Sequence, residues 1–556
     1  MQKWKGLQVF SLGVVLLAGC SSGGSSGTGD QGDPDPDNGD TVVVPVSEET
    51  DAPVAEFLAA GVTLTGAVAE GESRIFRVPS GAEISLLSTS GNADLFLLDN
   101  TPVFNNDIVL CRSTWPVIED NCTASTDGEL YVDVYGRTAA EFSISVTNDC
   151  SVPAVNDWVY RNMQDYYLFA DQVPVVNPAS YDSTRDLIND IRFTERDPFT
   201  GISDAVARQD FFETGGNFGL GAEFRGPRVS LVYDDSPFGR ANVQRGDIVV
   251  SIDGVPAAEI DNARFFELIG DRDNPATNVW RFEDGVTGEI RDVSLAQSEF
   301  TINTVVHSSV YTSDRSAAVV GYLVFTDFLE TSEAELDSVL QRFLQEGVTE
   351  IILDLRYNGG GRVSVANKLA SQIGGLRLSG RVLSRIEFNS KYTARNEVDF
   401  FAAAAPSLDV DRLIVLGGAR TASASELVIN SLRAHMDVVF IGDGTTVGKS
   451  LISRSKINCG LALSAMDSQS VNANGVSIEG GIVPDCFAAD DVTRRFGGTG
   501  SNIEGMLAGA LDYTFAGVCN VEPALAKRTI SGAGQMSVTN NERPYTDATA
   551  DPDVAR

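Results

Sequence analysis

Between residues 73 and 147, apolar and polar positions alternate in short runs. SRIFRV, AEISLL, ADLFLLD, ELYVDVY and EFSISVT are each bounded by Gly, Asn or Asp. In the last run Phe142, Ile144 and Val146 share one face, the period of a half-buried strand. Several such strands predict a small β-sandwich over residues 55–149. The pattern changes in VNDWVYRNMQDYYLFAD, which predicts a helix at the head of a loop-rich part, 150–214. Residues 215–298 return to β. From 299 onward the pattern is α/β. Ser332 and Glu335 have capping-box spacing, and Leu336, Val339, Leu340, Phe343 and Leu344 share a helical face that Gly347 closes. EIILDLR then reads as a strand, YNGGG as a loop and RVSVANKLASQI as a helix. The unit repeats with LIVLG, GARTA, a helix over about 423–434, and VVFIG. Single helices between strands predict right-handed crossovers and a largely parallel sheet over 299–524. GMLAGALDYTFAG reads as a late helix, and residues 525–556 as a polar, loosely structured tail.

A chain of 556 residues exceeds one ordinary core, in keeping with several domains. The formal charge of −36 argues against nucleic acid, because phosphate binding needs an excess of Lys and Arg. The only histidines, His307 and His435, are too few for an HExxH site or a zinc cluster, so neither metal nor cofactor is expected. Lys3 and Lys5 precede an apolar run too short to span a bilayer, and it ends in Leu17-Ala18-Gly19-Cys20. This resembles a bacterial lipobox. The resemblance implies a signal peptide over 1–19 and lipid on Cys20; Ser21 after it favours the outer membrane, with the membrane face left open. Residues 20–54, rich in Gly, Ser, Asp and Pro, read as an acidic tether.

Six cysteines remain, an even number that in an oxidising compartment reads as three disulfides. Cys111–Cys122 and Cys459–Cys486 are expected because each pair falls within one candidate domain, which leaves Cys150–Cys519.

The phrases GESRIFRVPSGAEISL, GNADLFLLD and GELYVDVYG, with the Cys111/Cys122 pair, resemble the bacterial pre-peptidase C-terminal domain, which implies an accessory domain without catalytic residues. NFGLGAEF followed by SPFGRANVQRGDIVVSIDGVPA resembles a PDZ domain over 215–298. That resemblance makes Gly219, Leu220 and Gly221 its carboxylate-binding loop, a nest of successive N–H groups.

Two βα loops, YNGGG and GARTA, emerge at the carboxyl ends of parallel strands, where ligands usually bind. Each opens a helix N-terminus with unpaired N–H donors. One loop can offer a nucleophile and the other oxyanion donors, as acyl transfer requires. A serine there needs a base. His435 lies twelve residues after Ser423, roughly 18 Å down the same helix, and is a poor candidate. Lys449 follows the next strand, and a lysine sheltered from water can act as a base near neutral pH.

LDLRYNGGG, TASASE and GTTVGK, in that order behind the PDZ-like phrase, resemble the C-terminal processing (tail-specific) serine peptidases over about 150–520. The resemblance implies a Ser–Lys dyad of Ser423 and Lys449, with oxyanion donors from the N–H groups of Gly360 and Ala424, and a structural Ser425. Ser453 stands where many members carry a Gln that orients the lysine, Ser450 replaces a Gly, and Ala434 replaces a frequent acidic residue. Ser453 and Asn430, the latter on the Ser423 face of its helix, are the candidates for orienting Lys449.

The resulting expectation is a lipid-anchored envelope serine endopeptidase acting on proteins or peptides with free C-termini, its oligomeric state left open. The rival is a catalytically silent PDZ-based peptide-binding lipoprotein. A small-substrate esterase is disfavoured because no GxSxG elbow joins a strand to a helix in the α/β part.

Overall fold

The computed structural model describes residues 55–519, apart from 59–61, 80–81, 100–108, 114–118, 124–129, 148–149 and 273. Its architecture is a multi-sheet, mixed α/β arrangement.

The alternating runs at 55–147 form two antiparallel-rich sheets that share one core. One has the order Glu56–Phe57, Ser73–Val78, Leu130–Gly136, Ala93–Asp99, Val109–Ser113. The other has the order Thr63–Val68, Ala140–Thr147, Glu83–Ser90, Glu119–Thr123. Phe76, Leu95 and Val132 of the first meet Ile84, Leu86 and Ile144 of the second, and the Phe76 and Phe142 rings pack edge to face at 6.4 Å. Burying each such side chain contributes about 1.5–3 kcal/mol. Asp133 lies between the core residues Val132 and Val134, so it points to the opposite face, yet it is only 3% exposed. Burial raises its pKa to about 6 against a weaker opposing hydrogen bond from Ser73, and Oδ1 has no hydrogen-bond partner.

That shift has a defined sign. Below the unfolded value near 4 the carboxyl is protonated in both states and costs nothing. As pH rises toward 6 the unfolded chain ionises first, so stability is lost across that window, by about 3 kcal/mol. Asp133→Asn is therefore expected to raise the melting temperature relative to wild type at pH 7.5 and to leave it unchanged at pH 4. Equal effects at both pH values would contradict the assignment.

Helices Val152–Asp165 and Thr184–Ile191 follow, the second capped by Ser183. With Tyr167 just past the first, they bury Val159, Met163 and Leu187 against Leu463 and Met466 of a much later segment. Residues 216–301 then form a second β unit around Trp280, Phe238, Phe265 and Phe282. Its main sheet runs Ala222–Arg225, Arg228–Val232, Ile248–Ile252, Asn278–Glu283, Ile290–Leu295, so Ala222–Arg225 is an edge strand.

The central sheet has the order Val305–Ser313, Ser316–Phe325, Glu350–Asp354, Arg412–Gly417, Asp437–Gly442, Cys486–Phe487. All pairs after the first are parallel. Its strands read as continuous apolar runs because both faces are covered. Leu323, Leu353 and Val415 face helices Ser332–Gln345, Val363–Gly374 and Ala424–Arg433. Tyr322, Ile352 and Ile414 face helix Gly505–Ala516.

Two local expectations are corrected. The helix at Ser332 forms without its capping box: Ser332 Oγ donates to the Asp327 carbonyl, and Glu335 instead accepts from the Val305 N–H at 2.8 Å. The disulfides are Cys150–Cys459 and Cys486–Cys519, not Cys459–Cys486 and Cys150–Cys519. Cys459 turns back on the helical part that precedes it in sequence by 309 residues, while helix Gly505–Ala516 returns Cys519 to the sheet edge at Cys486. The side chains of Cys111 and Cys122 lie outside the described residues, as does Cys20.

Candidate active site

Three adjacent parallel strands, Glu350–Asp354, Arg412–Gly417 and Asp437–Gly442, deliver three loops to one end of the central sheet. They carry Asn358 to Gly361, Arg420 to Ser423, and Asp443 to Lys449.

Ser423 is the residue before helix Ala424–Arg433, with φ 56° and ψ −116°. Such a conformation is costly for a side-chain-bearing residue, about 1–3 kcal/mol, and persists only where the surroundings impose it. Those surroundings are visible. Asn358 accepts at its carbonyl from the Ala422 N–H (3.2 Å) and from Ser425 Oγ (3.0 Å). Ser425 is thereby turned away from Ser423's surroundings and onto the neighbouring loop. Asn358 Nδ2 donates to the Phe325 carbonyl, fixing the loop to the next strand.

Gly360 packs against the serine. A Cβ there would lie 2.7 Å from Ser423 Cβ, 2.9 Å from the Ala422 oxygen and 3.0 Å from the Ala424 nitrogen, and φ is +106°. Only glycine permits this approach. Its N–H, the expected oxyanion donor, donates in this structure to Asn358 Oδ1 at 2.8 Å, because the Asn side chain folds back over its own turn. Ala424 opens the helix, where backbone N–H groups lack intrahelical partners.

Glu426, which is fully buried, ties Lys449's loop to Ser423. Its carboxylate accepts from the N–H groups of Ser423 (2.8 Å), Lys449 (2.9 Å) and Gly448 (2.6 Å), and from the Thr446 hydroxyl. Burial pushes the Glu426 pKa up while these donors pull it down, and the net direction is upward. The Lys449 ammonium lies 4.9 Å from the centre of the Phe199 ring, on the loop after the helical part. Sequence reasoning missed both residues. Ser423-Ala-Ser-Glu426 has the S-x-x-E spacing that could have revealed Glu426; nothing local marks Phe199. Asn430, a candidate for orienting the lysine, has its Nδ2 donating to the Val476 carbonyl and its Oδ1 accepting from Asn472. Ser453 ends the strand Leu451–Ser453 and pairs with Met466. His435 bonds the Val382 carbonyl at 2.8 Å.

Beside the loops lies a buried charge cluster. Arg356 donates to Asp354, Asp490 and Glu504, and Arg245 of the second β unit reaches Asp490 and the Tyr357 hydroxyl. Burial would raise the Asp490 carboxyl, but Arg245, Arg356 and Arg225 outweigh it and hold the group well below the usual range. Among the described residues no group of three or more His, Cys, Asp or Glu is placed to hold a metal ion.

Gly219, Leu220 and Gly221 lead into the edge strand Ala222–Arg225. Leu220 is buried, its carbonyl accepts from the Phe238 N–H, and Gly221 (φ +72°) leaves no room for a Cβ beside Ser236.

A serine at a strained strand-to-helix turn, with the backbone of a lysine-bearing loop tied to it through Glu426, is a place where nucleophilic chemistry can be built. Residues 319–487 match the family profile described as Peptidase family S41, and residues 154–201 match that of the Peptidase S41 N-terminal domain. Those two stretches of the chain are similar to domains of this peptidase family. It is 25% identical over 320 residues to "Carboxyl-terminal-processing peptidase 1, chloroplastic" of Arabidopsis thaliana, a match covering 55% of this chain and 61% of that protein. It is 26% identical over 317 residues to the "Carboxy-terminal-processing protease" of Bartonella bacilliformis, covering 54% of this chain and 69% of the relative. In fold it is similar to a Bacteroides fragilis protein assigned to the S41 proteases, with TM-score 0.53, 21% identity, and coverage of 65% of this chain and 97% of the other.

Proposed function

We propose that this chain is a serine endopeptidase of the C-terminal processing type, built on a Ser423–Lys449 dyad. The observation that carries the reading is the junction at Glu426, one carboxylate that holds the backbone of both Ser423 and Lys449. Lys449 takes the Ser423 Oγ proton as the oxygen attacks the peptide carbonyl. The Ala424 N–H at the helix start receives the developing oxyanion. Lys449 then gives the proton to the leaving amine, and water hydrolyses the acyl-serine. Phe199, against the ammonium, keeps bulk water from that side.

The domain plan supports protein substrates. Residues 55–149 act as a pre-peptidase-like β-sandwich accessory domain. The unit at 215–298 works as a PDZ-like domain that takes a free C-terminus at Gly219, Leu220 and Gly221, with the tail extended along Ala222–Arg225. The N-terminal lipobox-like segment supports lipid attachment at Cys20 and residence at the cell envelope, on the outer membrane.

The test compares wild type with Ser423→Ala and Lys449→Ala on an unfolded protein ending in an apolar tail, with cuts located by mass spectrometry. Wild type is expected to cleave, and both folded variants to lose at least about a thousand-fold in rate. A Ser423→Ala protein that cuts as fast as wild type refutes the dyad. A wild type that binds the tail without cutting returns the silent-scaffold reading.

A further inference from the structure

Lys449 is half-buried, and its ammonium stands 4.9 Å from the centre of the Phe199 ring, within the range of a cation–π attraction. The ring is held there by a built turn, Asp197-Pro198-Phe199-Thr200. Asp197 is fully buried. Its Oδ1 accepts from the N–H groups of Phe199 (2.8 Å) and Thr200 (2.9 Å), and its Oδ2 from the Tyr167 hydroxyl (2.8 Å) and the Thr200 hydroxyl. A buried carboxylate with four donors fixes the backbone from which the ring projects. The Thr200 hydroxyl also accepts from the Met466 N–H at 3.1 Å. Met466 pairs with Ser453, at the end of the strand Leu451–Ser453 that follows Lys449. Just past the ring, Gly201–Asp204 pairs antiparallel with Leu461–Ser464. One later segment therefore sets the positions of both the ring and the lysine.

The chemistry of the partner decides what it can do. A lysine base must offer a neutral amine to the Ser423 hydroxyl and carry a full charge once the proton has moved. A carboxylate facing Nζ would keep the lysine charged and unable to accept. An aromatic face takes no proton and attracts an ammonium much more weakly than a carboxylate does. It favours the charged product of the transfer and leaves the neutral reactant accessible. The nearby carboxylates are engaged elsewhere. Glu426 accepts from backbone N–H groups and Thr446, Asp197 from its own turn and Tyr167, and Glu479 from both ends of the Arg196 guanidinium.

We propose that Phe199 is a positioning residue for Lys449: its ring face receives the side-chain nitrogen as the amine becomes an ammonium, and Asp197 and Thr200 hold the ring in place. The inference rests on the reading of Ser423 and Lys449 as a dyad.

The test follows kcat/KM across pH for the full chain on an unfolded protein with an apolar tail. Its acid limb reports the lysine of the free enzyme losing its neutral form. Phe199→Leu keeps apolar bulk and removes the π face. The ammonium is then less favoured, so the amine stays neutral to lower pH. The acid limb is expected to move down by about half a unit or more. The plateau is expected to fall by about two- to thirty-fold, because the charge formed on transfer is held less well. Phe199→Tyr, which keeps the ring, is expected to stay within about two-fold of wild type with its acid limb unmoved. A Phe199→Leu enzyme that loses rate with the limb unmoved or raised overturns the proposal, since packing or admitted water then explains the loss. Equal behaviour of the Tyr and Leu variants overturns it too. If Lys449→Ala cuts as well as wild type, or wild type does not cut, the dyad reading fails and takes the inference with it. Lys449-dependent cleavage that is indifferent to Phe199→Leu removes the inference alone. Thermal melts establish that each variant is folded, and Phe199→Met, also without a ring, supplies the test should Phe199→Leu unfold.

Discussion

An alanine at position 360 is expected to slow peptide cleavage by about a hundred-fold or more while the chain still folds. The added methyl would sit 2.7 Å from Ser423 Cβ and 3.0 Å from the Ala424 nitrogen, distances that Cβ atoms do not tolerate. Backbone at φ +106° adds strain of about 1–3 kcal/mol for any L side chain. Ser423 cannot easily retreat, because its N–H is held by Glu426 and its helix is buried. The loop Asn358–Gly361 must therefore move, and it carries the carbonyl that positions both Ala422 and Ser425. A displacement of about 1 Å at a reacting group costs roughly a hundred-fold in rate. The cost should fall on kcat, with KM for a tailed substrate little changed, since the unit at 215–298, proposed to take the tail, is untouched. Steady-state kinetics with a melt as control would check it. A Gly360→Ala enzyme within three-fold of wild type would show that the close approach to Ser423 is not needed for catalysis.

The second large effect is expected at Glu426. Glu426→Gln keeps shape but replaces one acceptor oxygen with an NH₂ group. Oε2 accepts from Ser423 and Lys449, and Oε1 from Gly448 and Thr446, so either amide orientation sets a donor against donors. Each buried donor left without a partner costs about 1–3 kcal/mol. The strain is relieved by separating the Lys449 loop from the Ser423 turn, and the expected loss is about a hundred-fold in kcat. Glu426→Ala removes all four contacts and should also lower the melting temperature. Glu426→Asp, whose carboxylate is one methylene short, is expected to fall between Gln and wild type. If Glu426→Gln kept wild-type kcat, the clasp would be scaffolding alone.

Much of this was legible from residue order. The alternation in SRIFRV and EFSISVT marked strands because a period of two leaves one face dry, and those strands formed at Ser73–Val78 and Ala140–Thr147. The apolar runs EIILD and LIVLG marked buried parallel strands, and the intervening helical pattern fixed the crossovers. TASASE marked a helix start, and the helix begins at Ala424. Local rules failed where a side chain had a better partner far away. Glu335 has capping-box spacing, yet its carboxylate accepts from the distant Val305 N–H instead, and the box does not form. Asn430 shares the Ser423 face of its helix, but the segment Asn472–Val476 claims its amide.

The sequence by itself determined the strands of residues 73–147, the strands and helices of the repeated βα units, and the loops from which chemistry can emerge, because periodicity and turn residues act over a few positions. Only the tertiary structure decided which groups meet. It joined Cys150 to Cys459 and Cys486 to Cys519, placed Phe199 against Lys449, turned the Gly360 N–H onto Asn358, and set Arg420 between Glu223 and Tyr357. Most of these contacts join residues tens to hundreds of positions apart, chosen by how sheets stack and which buried charges must find partners. The turn of Gly360 onto Asn358, though local, depends on the loop geometry that the packed strands impose.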